Sequence, residues 1–186
     1  MRQNTYTTTV KSGRGMRHGV VSELSAFLTI KPGEADALRA GLGRFHERIR
    51  NAPWDVIQKI GIVDMKHVIF DDGTRLAWNT AFDTDWDPYI DDSFAILGSD
   101  IWTDWVQHAV GYDPDDWTDS RVIKRFLQSA QTPAVGFYRA IPDLTLSQVK
   151  RAQQVMAAFQ KVLDTPGAAD ALQNPVLKPL LDEAAA

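Results

Sequence analysis

The sequence predicts an α+β fold organised on a four-stranded antiparallel sheet. Three observations carry this. Two runs, 62–70 and 74–83, alternate apolar and polar residues around the turn sequence Asp71-Asp72-Gly73-Thr74, which reads as a hairpin. A third alternating run, 20–30, leads directly into a stripe of apolar residues at helical spacing. A fourth candidate strand, 134–140, precedes a long amphipathic stretch near the end of the chain.

Taken in order, residues 1–19 read as an extended or disordered arm. It carries Arg2, Lys11, Arg14 and Arg17 with no acid, and His18 reads as a solvated residue of that arm. In the first strand, Leu24, Ala26, Leu28 and Ile30 share one face, and Glu23, Ser25, Phe27 and Thr29 the other. Lys31-Pro32-Gly33 ends it. A helix over 34–51 follows, with Ala35, Leu38, Leu42, Phe45 and Ile49 on one stripe. Residues 54–61 form a connector of about one helical turn. On the second strand Val63, Met65, His67 and Ile69 face one way. On the third, Leu76, Trp78, Thr80 and Phe82 oppose Ala77, Asn79 and Ala81. Neither strand has a wholly polar face, so both faces are expected to be covered in part.

Helices then read at 87–97, with Asp87 as cap and Pro88 at the first helical position, and at 100–112, with Trp102, Trp105, Ala109 and Tyr112 inward. A third, capped by Thr118, runs to Ala130. The strand 134–140 leads to a helix over 146–164, with Val149, Ala152, Met156, Phe159 and Leu163 as its stripe. The organisation is thus an arm (1–19), an α+β domain (20–165) with a helical insert at 99–131, and a helical tail (166–186). The order β-α-β-β-α-β, insert aside, is that of the ferredoxin-like split βαβ fold, with further helices before the last strand and at the C-terminus.

Composition narrows the chemistry. The 186 residues include no cysteine, which removes disulfides, thiol catalysis and thiolate metal sites and fits a cytoplasmic location. Residues 83–119 hold eleven Asp and no Lys or Arg, so nucleic acid is not an expected partner. No apolar run approaches the roughly 20 residues of a membrane span, and the N-terminus lacks a signal-peptide core.

Two stretches, LSAFLTIKPGEADALRAGL (Leu24 to Leu42) and HVIFDDGTRLAWNTAFD (His67 to Asp83), resemble the opening strand-turn-helix and the central hairpin of the dimeric α+β barrel superfamily. That superfamily includes the antibiotic-biosynthesis-type monooxygenases, the chlorite dismutases and the dye-decolourising peroxidases. The resemblance covers about residues 20–140 without the insert. The peroxidase GxxDG signature is absent, and no proximal-histidine motif carries over. The resemblance implies a homodimer formed through the open sheet face and a small-molecule pocket between that face and the helices or loops over it. By fold analogy it also implies oxygenase or oxidoreductase chemistry on an apolar or aromatic molecule.

No Ser-His-Asp order, P-loop, GxGxxG or HExxH pattern is present. The sequence therefore leaves open whether the chain is an enzyme. His67, amid apolar strand neighbours, is the candidate catalytic base or polariser, with Asn79 as a hydrogen-bond donor; the plainer reading is a bonded core histidine. Met65, Trp78, Phe82, Trp102 and Trp105 are the candidate substrate-binding walls. The alternative is a haem protein with His67 or His108 as axial ligand, His108 being oriented by Asp104 four residues earlier. Cofactor expectations are therefore none or haem. His46, beside the stripe of its helix, reads as an interface or surface residue. Asp83-Thr84-Asp85-Trp86-Asp87 opens like a calcium loop but continues with Pro88 and Phe94 where Gly and Glu belong, so it reads as a cap and a charged rim. A further alternative is a non-enzymatic dimeric module whose basic arm and acidic patch bind across subunits.

Overall fold

The computed structural model describes residues 13, 15–113 and 120–184. Arg2, Lys11 and Arg14 of the arm, and Trp117 and the Thr118 cap, lie outside the described residues. The chain divides into two compact units, Met1–Leu146 and Ser147–Ala186.

The sheet has four antiparallel strands: β1 (Arg17–His18), β2 (Val21–Thr29), β3 (Ile62–Phe70) and β4 (Arg75–Phe82), in spatial order β1-β2-β4-β3. The first long strand thus lies beside the third, and the hairpin partner sits at the far edge, as the split βαβ arrangement requires. The hairpin turns where expected. Asp71, Asp72 and Gly73 all have φ between 50° and 83°, a region Asp enters with help from local hydrogen bonds and glycine enters freely. Thr74 closes the turn by donating from its backbone N–H and from Oγ1 to the Asp71 carbonyl.

Register fixes what shares a face. Ala26, Trp78 and His67 stand side by side, as do Leu28, Leu76 and Ile69. Asn79 lies between Ser25 and Lys66, on the opposite face. Helix α1 (Ala35–Asn51) buries Leu38, Leu42 and Phe45. Gly41 lets α1 meet α4 (Ser99–Val106) backbone to backbone, since a Cβ there would stand 2.4 Å from the Asp104 carbonyl oxygen. Helix α2 (Trp54–Ile60) ends at Gly61, whose φ of 77° and N–H to the Ile57 carbonyl reverse the chain into β3. Helices α3 (Trp86–Leu97) and α5 (Ser120–Ala130) add Tyr89, Ile90, Ile123 and Leu127 to the same core. Each fully buried side chain of this size contributes about 1.5–3 kcal/mol by leaving water.

Four sequence expectations change. Residues 134–140 form no strand. The place beside β2 is taken by Arg17–His18 at one end and by a bridge from Gln131 to Ala26 at the other. Val135 and Tyr138 are exposed, so the segment has no apolar face to bury. The four-stranded antiparallel sheet and the α+β class stand, with the arm supplying the fourth strand. Second, the Asp87 cap is displaced: α3 begins at Trp86, Asp85 occupies the N-cap position, and Asp87 pairs with Lys124 at 3.0 Å. Third, the helix expected over 100–112 stops at Val106. Fourth, helix α6 (Leu146–Leu163) groups with α7 (Ala168–Leu172) and α8 (Lys178–Ala184) rather than with the sheet domain, and buries none of its residues.

The acidic segment is braced rather than merely solvated. Asp85 pairs with Arg17, Asp91 with Lys124, Asp100 with Arg48, and Asp104 takes a two-pronged contact from Arg44 at 2.7 Å on each oxygen. The Asp83 carboxylate accepts the Leu146 backbone N–H. Among the described residues, no three His, Asp or Glu side chains gather as metal ligands. No helix of the described residues is long and apolar enough to cross a membrane.

Candidate functional site

The sheet's helix-facing side carries one titratable group into the core, His67. Its imidazole stacks on Trp78 (centroids 5.9 Å apart, planes within 8°) and is met edge-on by Phe45 and Trp105. Trp102 and Phe94 extend this cluster. Burial, and secondarily the neighbouring His46 ring, pushes the His67 pKa down to about 3, so His67 is neutral across the physiological range.

Among the described residues its polar partner is His46 of α1: His67 Nδ1 and His46 Nε2 lie 2.9 Å apart, and His67 Nε2 is buried without a partner. A buried, unpaired N–H costs more than a buried, unpaired lone pair. The proton is therefore assigned to His67 Nδ1, which donates to His46 Nε2. His46 then carries its own proton on Nδ1, the nitrogen that has no protein partner among the described residues. Its pKa is lowered by partial burial and then by the charge of Arg50, one turn along α1. The resting His46 is thus a neutral imidazole that presents an N–H.

His46 lines a cleft of about 470 Å³ between α1, α2 and the start of β3. The apolar walls are Ile49, Ile57, Ile62, Val63 and Met65, with Trp54 at 39% exposure. Arg50 and Asp64 supply the charge. The volume lies in the range of small-molecule sites, and the lining is the usual mixture of apolar walls with a few polar groups.

The expected site residues are distributed differently. Met65 lines the cleft. His67 is not among the residues that line it and bonds His46 instead. Trp78, Phe82, Trp102 and Trp105 are each 0% exposed; the three tryptophans pack on one another and Phe82 stacks on Tyr89, so they belong to the core. Asn79 is on the other face and does not approach His67. His108 is not oriented by Asp104: its Nδ1 bonds Glu34 at 2.7 Å, and Asp104 is engaged by Arg44. Haem as a ligand of His67 does not fit these residues, because the ring packs against Phe45, Trp78 and Trp105 and its Nδ1 is taken by His46, whereas Glu34 occupies only Nδ1 of His108. His46, which the sequence presents as an interface or surface residue, lines the cleft. Its signal was position: it flanks a stripe that packs on the strand carrying His67.

Fold and site together define an α+β chain of ferredoxin-like strand order, with a coupled histidine pair at the edge of a small-molecule-sized cleft. No protein-family model matches the chain, and no curated protein matches it. Among solved structures, two proteins carrying the name "putative antibiotic biosynthesis monooxygenase" resemble it. The one from Nitrosomonas europaea is 16% identical, with a TM-score of 0.38 over 50% of this chain and 84% of its own. The one from Bordetella bronchiseptica is 15% identical, with a TM-score of 0.34 over 47% and 80%. The assignment of fold rests on the strand order and register above.

Proposed function

We propose that the chain binds a small, largely apolar molecule in this cleft and polarises an oxygen of it through the His46 Nδ1–H. The observation that carries this reading is the buried His67 behind His46, which costs stability and fixes the outer ring's tautomer. A neutral imidazole held as a donor is suited to stabilising charge that develops on a carbonyl oxygen. Oxygenase or oxidoreductase chemistry, the class implied by the sequence resemblance, belongs to this proposal. These residues supply binding, orientation and a proton donor at a stated atom.

A test uses 2-naphthamide as a neutral aromatic probe bearing a carbonyl oxygen, with binding read by calorimetry. Loss of one good hydrogen bond in His46→Ala is expected to weaken binding by about tenfold, roughly 1.4 kcal/mol. Equal binding to the variant, or none to the wild type, contradicts the proposal.

We also propose that the chain is a homodimer through the open sheet face. Phe27 and Val68 remain 38% and 46% exposed there, flanking Ala77, which supports a partner on that side. Sedimentation of Val68→Glu is expected to show monomer where the wild type shows dimer; the same distribution for both removes this reading.

A further inference from the structure

The cleft has a polarity that its apolar lining does not explain. Two residues with N–H donors line it from one helix, four residues apart: His46 and Arg50. The other arginines of α1 have work. Arg44 clamps Asp104, Arg48 bonds the Leu97 carbonyl and Asp100, and Arg39 lies 4.0 Å from Asp36. Arg50 is exposed and makes no ion pair or hydrogen bond among the described residues. An unoccupied guanidinium fork beside an outward-facing N–H is the donor set that a carboxylate accepts, one oxygen or both on the fork and the imidazole completing the set. The remaining walls, Ile49, Ile57, Val63, Met65 and the partly exposed Trp54, suit an apolar or aromatic body attached to that head.

We infer that the ligand of this cleft is an apolar or aromatic carboxylate, with Arg50 and the His46 Nδ1–H as the two donors that read its head group. This rests on the cleft being the binding site, as proposed above. Asp64 sharpens the discrimination. With Arg50 present, the cleft carries one cation and one anion; without it, Asp64 is left as the charge and repels a carboxylate. Arg50 also helps keep His46 neutral, which holds the imidazole in its single-donor state and leaves the anion's main charge partner to the guanidinium.

The experiment compares two probes of the same shape, 2-naphthoate and 2-naphthamide, on the full chain and on Arg50→Gln, by calorimetry. Arg50 is exposed, so the variant is expected to fold as the wild type does. The inference predicts that the wild type binds the carboxylate at least tenfold more tightly than the amide. In Arg50→Gln that preference should vanish or invert. Equal wild-type affinity for the two probes, or a carboxylate preference that survives in Arg50→Gln, overturns the inference and leaves the binding site standing. Absence of binding by both probes overturns the site and the inference together.

Discussion

Between pH 6.5 and about 3, the wild-type chain is expected to lose stability more steeply than His67→Leu, by about 1.4 kcal/mol per pH unit. The sign follows from which state binds the proton. Unfolded, His67 has an ordinary pKa near 6.5 and charges as the pH falls through it. Folded, it resists protonation until about 3, because burial among Phe45, Trp78 and Trp105 penalises the imidazolium. In that window the unfolded state holds the extra proton. The contribution is therefore unchanged above 6.5 and erodes on acidification. Urea denaturation of both proteins at several pH values checks it. Carboxylate titration is common to both, so their difference reports the coupled His67–His46 pair. Parallel curves would mean that His67 charges as easily folded as unfolded, and hence is not enclosed as described.

Replacing Trp78 by Ala is expected to cost about 3–5 kcal/mol, among the largest effects of any single truncation here. Trp78 is fully buried on the central strand, stacked on His67 and packed against Trp102 and Trp105. Removing it opens a cavity where three large rings have no small neighbour able to fill the gap. Trp54→Ala, at the cleft rim, is the control and is expected to cost under about 1 kcal/mol. A loss at Trp78 as small as at Trp54 would mean that the aromatic cluster is a loosely filled pocket instead of a core.

The contrast between these two tryptophans also shows how much the sequence could say. Alternation and turn chemistry located the hairpin to within a residue, and the stripe from Ala35 to Ile49 located α1, because both are local signals. The strand at 134–140 failed for a non-local reason. Whether an alternating run pairs depends on a free sheet edge, and that edge is occupied by Arg17–His18 and Gln131. The site failed in a related way. Periodicity placed His67 and Trp78 on one face but could not say whether protein or ligand covered them. The covering is Phe45, Trp102 and Trp105, so what read as pocket walls is core. Nothing local marked His46, since its importance comes from which strand α1 lies upon. His108 read as a partner of Asp104 by helical spacing, yet α4 ends at Val106, before His108, and Glu34 is nearer.

The central claim is that a buried neutral His67 holds His46 as an outward-facing donor. Long-range proton–nitrogen NMR of the two imidazoles, recorded from pH 7 down to 4, tests it most directly. His67 is expected to be protonated on Nδ1, with a bare Nε2 and no titration over that range. His46 is expected to be protonated on Nδ1 at pH 7, titrating below the usual histidine value, with signals that move when 2-naphthamide is added. A proton found on His67 Nε2, or a His67 that titrates near pH 6, would contradict it.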